Sequence, residues 1–195
     1  MSADAFHTLP HSSLASAGLG QGGVDVGYGA GGLALAGRDG ERLDLPWTTI
    51  RKVRVGIEQS KYGPPRYRLT LWTSAAPQPL RLTSLHRDEA AYAGVARTVA
   101  LRTFNARGKG SIEGGLGWSD ALLYPLAFAA IMPVAFVGMV IQNKHPRPGD
   151  TLTSALFVVA LTLVIETVFA VAFIRPNRPR ALAGMAELEG YLPKG

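Results

Sequence analysis

Residues 66–72 read RYRLTLW, and this alternation decides which kind of fold to expect. Successive side chains of a strand point to opposite sides, so every second residue shares a face. One face would carry Tyr67, Leu69 and Leu71, and the other Arg66, Arg68, Thr70 and Trp72. The stretch therefore predicts a strand with one buried face and one face in water.

The same period of two recurs on both sides of this stretch, in short runs separated by Gly and Pro. The alternating apolar positions are Val24, Val26 and Tyr28; Leu33 and Leu35; Leu43 and Leu45; Val53, Val55 and Ile57; and Leu80 and Leu82. Between them, Trp47 and Ile50 lie three apart, which favours a single helical turn. Several such runs predict an antiparallel sheet with one wet face.

One amphipathic helix should close this half of the chain. Ser84 or Asp88 could cap it and Gly108 would end it. Its apolar stripe would consist of Tyr92, Val95, Ala96 and Val99. Residues 23–108 are thus expected to form an α+β soluble domain, an antiparallel β-sandwich or barrel with one C-terminal helix. Residues 1–22 read as a flexible arm and the Gly-rich residues 109–120 as a linker.

This order of elements resembles a pleckstrin-homology-like (PH-like) domain. The resemblance is carried by LPWTTIRKVRV at 45–55, YRLTLW at 67–72, PLRLTSL at 79–85 and a following helix with Tyr92. It is similar to bacterial membrane proteins that join such a domain to a C-terminal pair of transmembrane helices. The resemblance implies a scaffold, or a module that binds headgroups, peptides or proteins. It transfers no ligand residue to this sequence.

Two apolar segments, 121–142 and 153–174, predict a transmembrane hairpin spanning 121–174. Each is roughly as long as the 20 helical residues that cross a bilayer core, and Glu166 is the one charged residue in the pair. Lys and Arg are denser before the first segment and after the second than in the connector. This predicts a bacterial inner (plasma) membrane protein, with both termini and the tail 175–195 cytoplasmic.

Glu166 raises three alternatives within that hairpin. A neutral Glu166 could donate a hydrogen bond to the Ala129 carbonyl, which Pro133 cannot bond. Two hairpins could instead associate through their acids, or an oligomer could conduct protons or ions.

A basic block gives the candidate partner-facing residues. Residues 51–109 contain twelve Lys or Arg against three acids. The candidate contact residues are Arg51, Lys52, Arg54, Lys61, Arg66 and Arg68. They could form a solvated face that keeps the domain soluble, or attract anionic lipid or a protein partner. Nucleic acid is not expected, because no binding motif accompanies the charge.

Little in the sequence points to catalysis. The chain has no cysteine. His7 and His11 have the spacing of a helical metal pair, but Pro10 interrupts the segment. We therefore expect no enzyme, no metal and no cofactor. The predicted function is a membrane-anchored, non-catalytic binding or scaffold protein that presents its PH-like domain to a protein partner or the anionic inner leaflet. The alternative is an oligomerising subunit of a small transporter or channel that uses the hairpin and Glu166. A homo-oligomer held by the hairpin would favour this alternative, and a monomer that awaits a partner would favour the first.

Overall fold

The computed structural model describes residues 5–58, 63–123, 127, 131 and 150–194. They form two compact units. The first comprises residues up to Leu116 together with those from Pro179 onward, and the second comprises residues 117–178.

The first unit contains two sheets. The first sheet has the order β1-β2-β3-β4 and is antiparallel throughout. Its strands are β1 (Phe6–Thr8), β2 (Val24–Tyr28), β3 (Gly32–Gly37) and β4 (Arg42–Pro46). The short helix α1 (Ser12–Ser16) lies between β1 and β2 in the chain. A 3₁₀ turn at Trp47–Thr49 then leads into the second sheet, as the spacing of Trp47 and Ile50 predicts.

The second sheet has the order β7-β6-β5-β8-β9. Its strands are β5 (Ile50–Glu58), β6 (Arg66–Thr73), β7 (Leu80–Thr83), β8 (Ile112–Gly114) and β9 (Arg180–Ala181). The pairing of β5 with β8 is parallel, whereas the other pairings are antiparallel. The α+β class is therefore as predicted, whereas the parallel pairing of β5 with β8 departs from the predicted antiparallel arrangement.

One helix, α2 (Glu89–Arg107), packs on the sheets and carries the predicted apolar stripe. Tyr92, Val95, Ala96 and Val99 are all fully buried. Gly108 follows with a φ of 77°, and its N–H donates to the Phe104 carbonyl over 2.7 Å, which ends the helix. The inner faces of both sheets and this helix share one apolar core.

Both the predicted flexible arm (residues 1–22) and the predicted tail (residues 175–195) contribute side chains to this core. Phe6, Leu14 and Leu19 of the predicted arm are each 1 % exposed. In the predicted tail, α4 (Met185–Leu188) follows β9, and Leu182, Leu188 and Leu192 are buried. Isolated apolar residues in a polar segment give no periodic signal, so neither role was visible in the sequence.

The second unit contains the helix α3 (Asp150–Asn177), and residues 118–123 are also helical. Among the described residues, no helix is long and apolar enough to cross a membrane. The prediction that the α+β domain is followed by a transmembrane hairpin, in a bacterial inner-membrane protein with both termini cytoplasmic, is therefore wrong. The predicted segment 121–142 lies outside the described residues except for residues 121–123, 127 and 131. The predicted segment 153–174 lies within α3 (Asp150–Asn177).

Candidate functional site

The outer face of the second sheet gathers most of the predicted basic residues. Strand register places Lys52 beside Trp72, Arg54 beside Thr70 and Glu113, and Arg68 beside Thr83. We call this surface the basic face. Its charged and aromatic members are Lys52, Arg54, Glu58, Arg66, Arg68, Trp72, Arg81 and Glu113. Five cations thus share one sheet face with two carboxylates.

Glu113, on β8, joins two cations of the basic face. Its Oε1 lies 2.7 Å from Lys52 Nζ, and its Oε2 accepts hydrogen bonds from Arg54 Nε at 2.9 Å and Nη2 at 2.8 Å. Burial by itself raises the pKa of Glu113, but the hydrogen bonds from Lys52 and Arg54 outweigh it and hold the pKa below its ordinary value. The carboxylate is therefore ionised at neutral pH and fixes both cations in place.

The indole ring of Trp72 packs against the Lys52 and Arg54 side chains. The Lys52 ammonium lies 5.4 Å and the Arg54 guanidinium 4.8 Å from the centre of its ring. Both distances fall within the range of cation–π attraction. Lys52 and Arg54 are thus ordered before any partner arrives, which lowers the entropic cost of binding them.

The other predicted basic residues differ in their ion pairing and in their exposure to solvent. Arg68 Nη2 donates to Glu58 Oε2 over 2.6 Å, whereas Arg51 and Arg66 are exposed. Arg51 lies at the irregularity in the β5–β6 register between Ile50 and Lys52. Lys61 lies outside the described residues. The structure therefore brings Lys52, Arg54, Arg66 and Arg68 onto one surface and places Arg51 at its edge.

Sequence reasoning missed Glu113, because residues 109–120 looked like a flexible linker. The parallel pairing of β8 with β5 joins residues almost 60 positions apart, and a three-residue strand among glycines has too few positions to show a period. The only signal in the sequence was that Ile112 and Glu113, one apolar and one acidic residue, stand together among glycines.

Glu166 lies in α3. The three alternatives for its role all depended on the transmembrane hairpin. The Oε1 of Glu166 is buried and has no hydrogen-bond partner among the residues that the structure describes. Ala129 and Pro133, the proposed partners in the first segment, lie outside the described residues.

The two spaced histidines have separate local contacts. The Nδ1 of His7 lies 2.8 Å from Asp25 Oδ1, across the β1–β2 pair. The Nδ1 of His11 accepts a hydrogen bond from the Ser13 N–H over 3.1 Å and so caps α1. Within the described part of the chain, no group of three His, Asp or Glu side chains is placed to hold a metal ion.

A shallow hollow of about 370 Å³ lies on the outer face of the first sheet. Its floor is made of small residues, because Gly27, Ala34 and Ala36 occupy neighbouring outward positions, and Asp25 and Arg42 border it. Compared with the basic face, it offers few groups that could select a ligand.

No protein-family model matches the chain, and no curated protein or solved structure is significantly similar to it. The PH-like resemblance therefore remains a prediction.

Proposed function

We propose that the first unit is a non-catalytic binding module whose basic face binds an acidic surface of a protein partner. The observation that carries this proposal is the charge of one sheet face, where Lys52, Arg54, Arg66, Arg68 and Arg81 outnumber Glu58 and Glu113. Such a surface attracts acidic partners and accelerates their association at low salt.

The pattern of charges favours a protein over a lipid surface. Glu113 and Glu58 are fixed among the cations, and each repels a uniformly anionic sheet of headgroups that approaches the face. A protein partner can place its carboxylates opposite the arginines and leave the two acids facing water or its own donors. Discrete complementarity of this kind gives specificity as well as attraction.

The test uses charge reversals that leave the internal ion pairs intact. Arg51→Glu with Arg66→Glu changes two exposed residues, and Arg38→Glu with Arg102→Glu, also at exposed positions, is the matched control away from the basic face. Binding of a fluorescent oligo-glutamate peptide is measured by anisotropy, beside co-sedimentation with anionic vesicles. We expect peptide binding that weakens with salt, falls about tenfold in the first variant and is unchanged in the control.

The outcomes separate the possible ligands. Binding to anionic vesicles alone would replace the protein partner with a lipid surface. Equal loss of peptide binding in both variants would mean that net charge, and not this face, attracts the peptide. Either result would overturn the proposal.

A further inference from the structure

Helix α3 exposes a continuous apolar stripe. Its members are Phe157 (68 % exposed), Leu161 (45 %), Val164 (60 %), Val168 (64 %) and Val171 (58 %). They follow one another at intervals of four, three, four and three residues. This is the heptad spacing of the apolar seam between two helices that pack along their length.

The stripe lies opposite the face that α3 buries within its own chain. Glu166 comes nine residues after Phe157, which is half a turn around the helix at 100° per residue. Near Glu166, Thr162 is 4 % exposed, and Oε1 of Glu166 itself is buried. The packed side of the helix is therefore already occupied, and the stripe faces away from it.

The exposed area is large for a surface without a partner. From the exposed fractions, the five side chains present roughly 550 Å² of apolar surface, near the upper end of what monomers expose in one patch. Two such stripes together would bury roughly 1,100 Å², which is above the roughly 1,000 Å² expected of a biological interface.

We propose that a second copy of this chain packs against this stripe, so that two α3 helices form a symmetric pair. A heptad seam fits another heptad seam, and a second copy supplies the same one by symmetry. None of the five positions is charged, so no charged group on the stripe selects a chemically different partner. This interface is on α3 and is independent of the binding proposed for the basic face.

The absence of cysteine from the chain allows a clean test by crosslinking. Val164 is the central position of the stripe, and it meets its own copy in a parallel pair and in an antiparallel pair centred on the stripe. Val164→Cys is compared with Leu163→Cys, whose side chain is almost equally exposed (57 %) but lies on a neighbouring face. In the full-length protein under mild oxidation, we expect Val164→Cys to form a disulfide-linked pair at least five times faster. Equal rates, or no crosslinking of Val164→Cys, would overturn the proposal.

A mass measurement on the cysteine-free protein is the second arm. Analytical ultracentrifugation should give twice the 20.7 kDa of one chain, and Val164→Glu with Val168→Glu should return it to one chain. Both positions are exposed, so helical content by circular dichroism should be unchanged. A single chain in the parent protein, with or without bound detergent or lipid, would contradict the pairing.

Discussion

At the scale of single residues, Glu113 shows how one carboxylate organises a surface. Its side chain is 15 % exposed and satisfies Lys52 and Arg54 together. Removing it leaves two cations close together with their shared partner gone, which costs free energy through both lost hydrogen bonds and repulsion.

We expect Glu113→Gln to lower the free energy of unfolding by about 1–3 kcal/mol at pH 7. Because the folded pKa of Glu113 lies below its ordinary value of 4.5, its contribution is present above that value. The contribution is lost as pH falls through the folded pKa. The stability difference between variant and parent should therefore shrink at acid pH, as urea unfolding at pH 7, 5 and 3 would measure.

The matched control for this titration is Asp44→Asn. Asp44 pairs with Arg42 on the surface, where their side chains are 61 % and 67 % exposed. Such a pair contributes on the order of 0–1 kcal/mol. A Glu113→Gln difference that is the same at all three pH values would contradict the ionised, paired role of Glu113.

Tyr92 differs from Glu113, because its buried hydroxyl makes no hydrogen bond within the described part of the chain. Its side chain is fully buried between Phe6 and Tyr67, with ring centres 5.4 Å and 6.0 Å away. Burial raises the pKa of its hydroxyl, and that hydroxyl has no hydrogen-bond partner in the described part of the chain. A buried hydroxyl without a partner costs about 1–3 kcal/mol.

Tyr92→Phe should therefore leave the stability unchanged or raise it by up to about 2 kcal/mol. Tyr92→Leu keeps an apolar side chain but loses the edge-on contact with Phe6, and it should destabilise by about 2–4 kcal/mol. Thermal unfolding of the three proteins checks both. A clear loss of stability in Tyr92→Phe would reveal a partner, such as a bound water, that the hydroxyl needs.

At the scale of elements, the C-terminal segment completes the second sheet and the core. The N–H of Leu182 donates to the Ile112 carbonyl over 3.0 Å, and β9 pairs with β8. On the surface, Arg97 and Glu189 form a two-bond ion pair that lowers the pKa of Glu189. The pair is about half exposed, so burial of Leu182 and Leu188 contributes most of the docking energy.

The substitution Gly114→Ala adds one methyl group at the contact between β8 and the C-terminal segment, and so tests this packing. A Cβ at this position would overlap the ring of Tyr191 and lie 2.9 Å from Leu182 Cδ2, although the backbone itself accepts any residue. Gly114→Ala should therefore destabilise the first unit by about 1–3 kcal/mol and loosen the segment after residue 179. Urea unfolding gives the first effect, and hydrogen exchange at Leu182 gives the second.

Gly94→Ala is the control with the opposite sign. Gly94 lies inside α2 with open space where its Cβ would be, so the change should stabilise by about 0.5–1 kcal/mol through helix propensity. If Gly114→Ala were neutral, the C-terminal segment would not be held against β8 as described.

Elements with enough length to show a period could be predicted from the sequence, and short ones could not. The strand around Leu69 and the stripe of α2 each repeat their pattern several times. Strands β8 and β9 are three and two residues long, and their pairing depends on residues far away in the chain. For the same reason the cations of the basic face were predicted, because they alternate along β5 and β6, whereas the acid that joins two of them was not.

The apolar run at 153–174 led to a wrong prediction for a different reason. The run at 153–174 was interpreted from composition and length alone, which measure how a segment would partition between water and lipid. They do not fix which of its residues are packed against the rest of the chain, as Thr162 is.

At the scale of the whole molecule, the first unit is discontinuous in sequence. Residues 117–178 are inserted between its β8 and β9, yet those strands are antiparallel neighbours, with Glu113 opposite Ala181 and Gly114 opposite Arg180. Cα atoms of paired antiparallel residues lie about 4.5–5.5 Å apart. The two ends of the insertion therefore leave the first unit from nearly the same place, and a hairpin loop can join them.

Replacing residues 117–178 with a short Gly/Ser linker should give a protein that folds as the first unit alone. The core of that unit takes its buried side chains from residues 6–112 and 182–192, so the excision removes none of them. We expect a cooperative thermal transition within about 5 °C of the parent's for this unit, and unchanged peptide binding at the basic face.

A second variant that ends at residue 116 lacks Leu182, Leu188 and Leu192, and it should unfold at least 10 °C lower or fail to fold. If the two variants were equally stable, the C-terminal segment would contribute nothing to the first unit; if both failed to fold, the inserted unit would be needed for its stability.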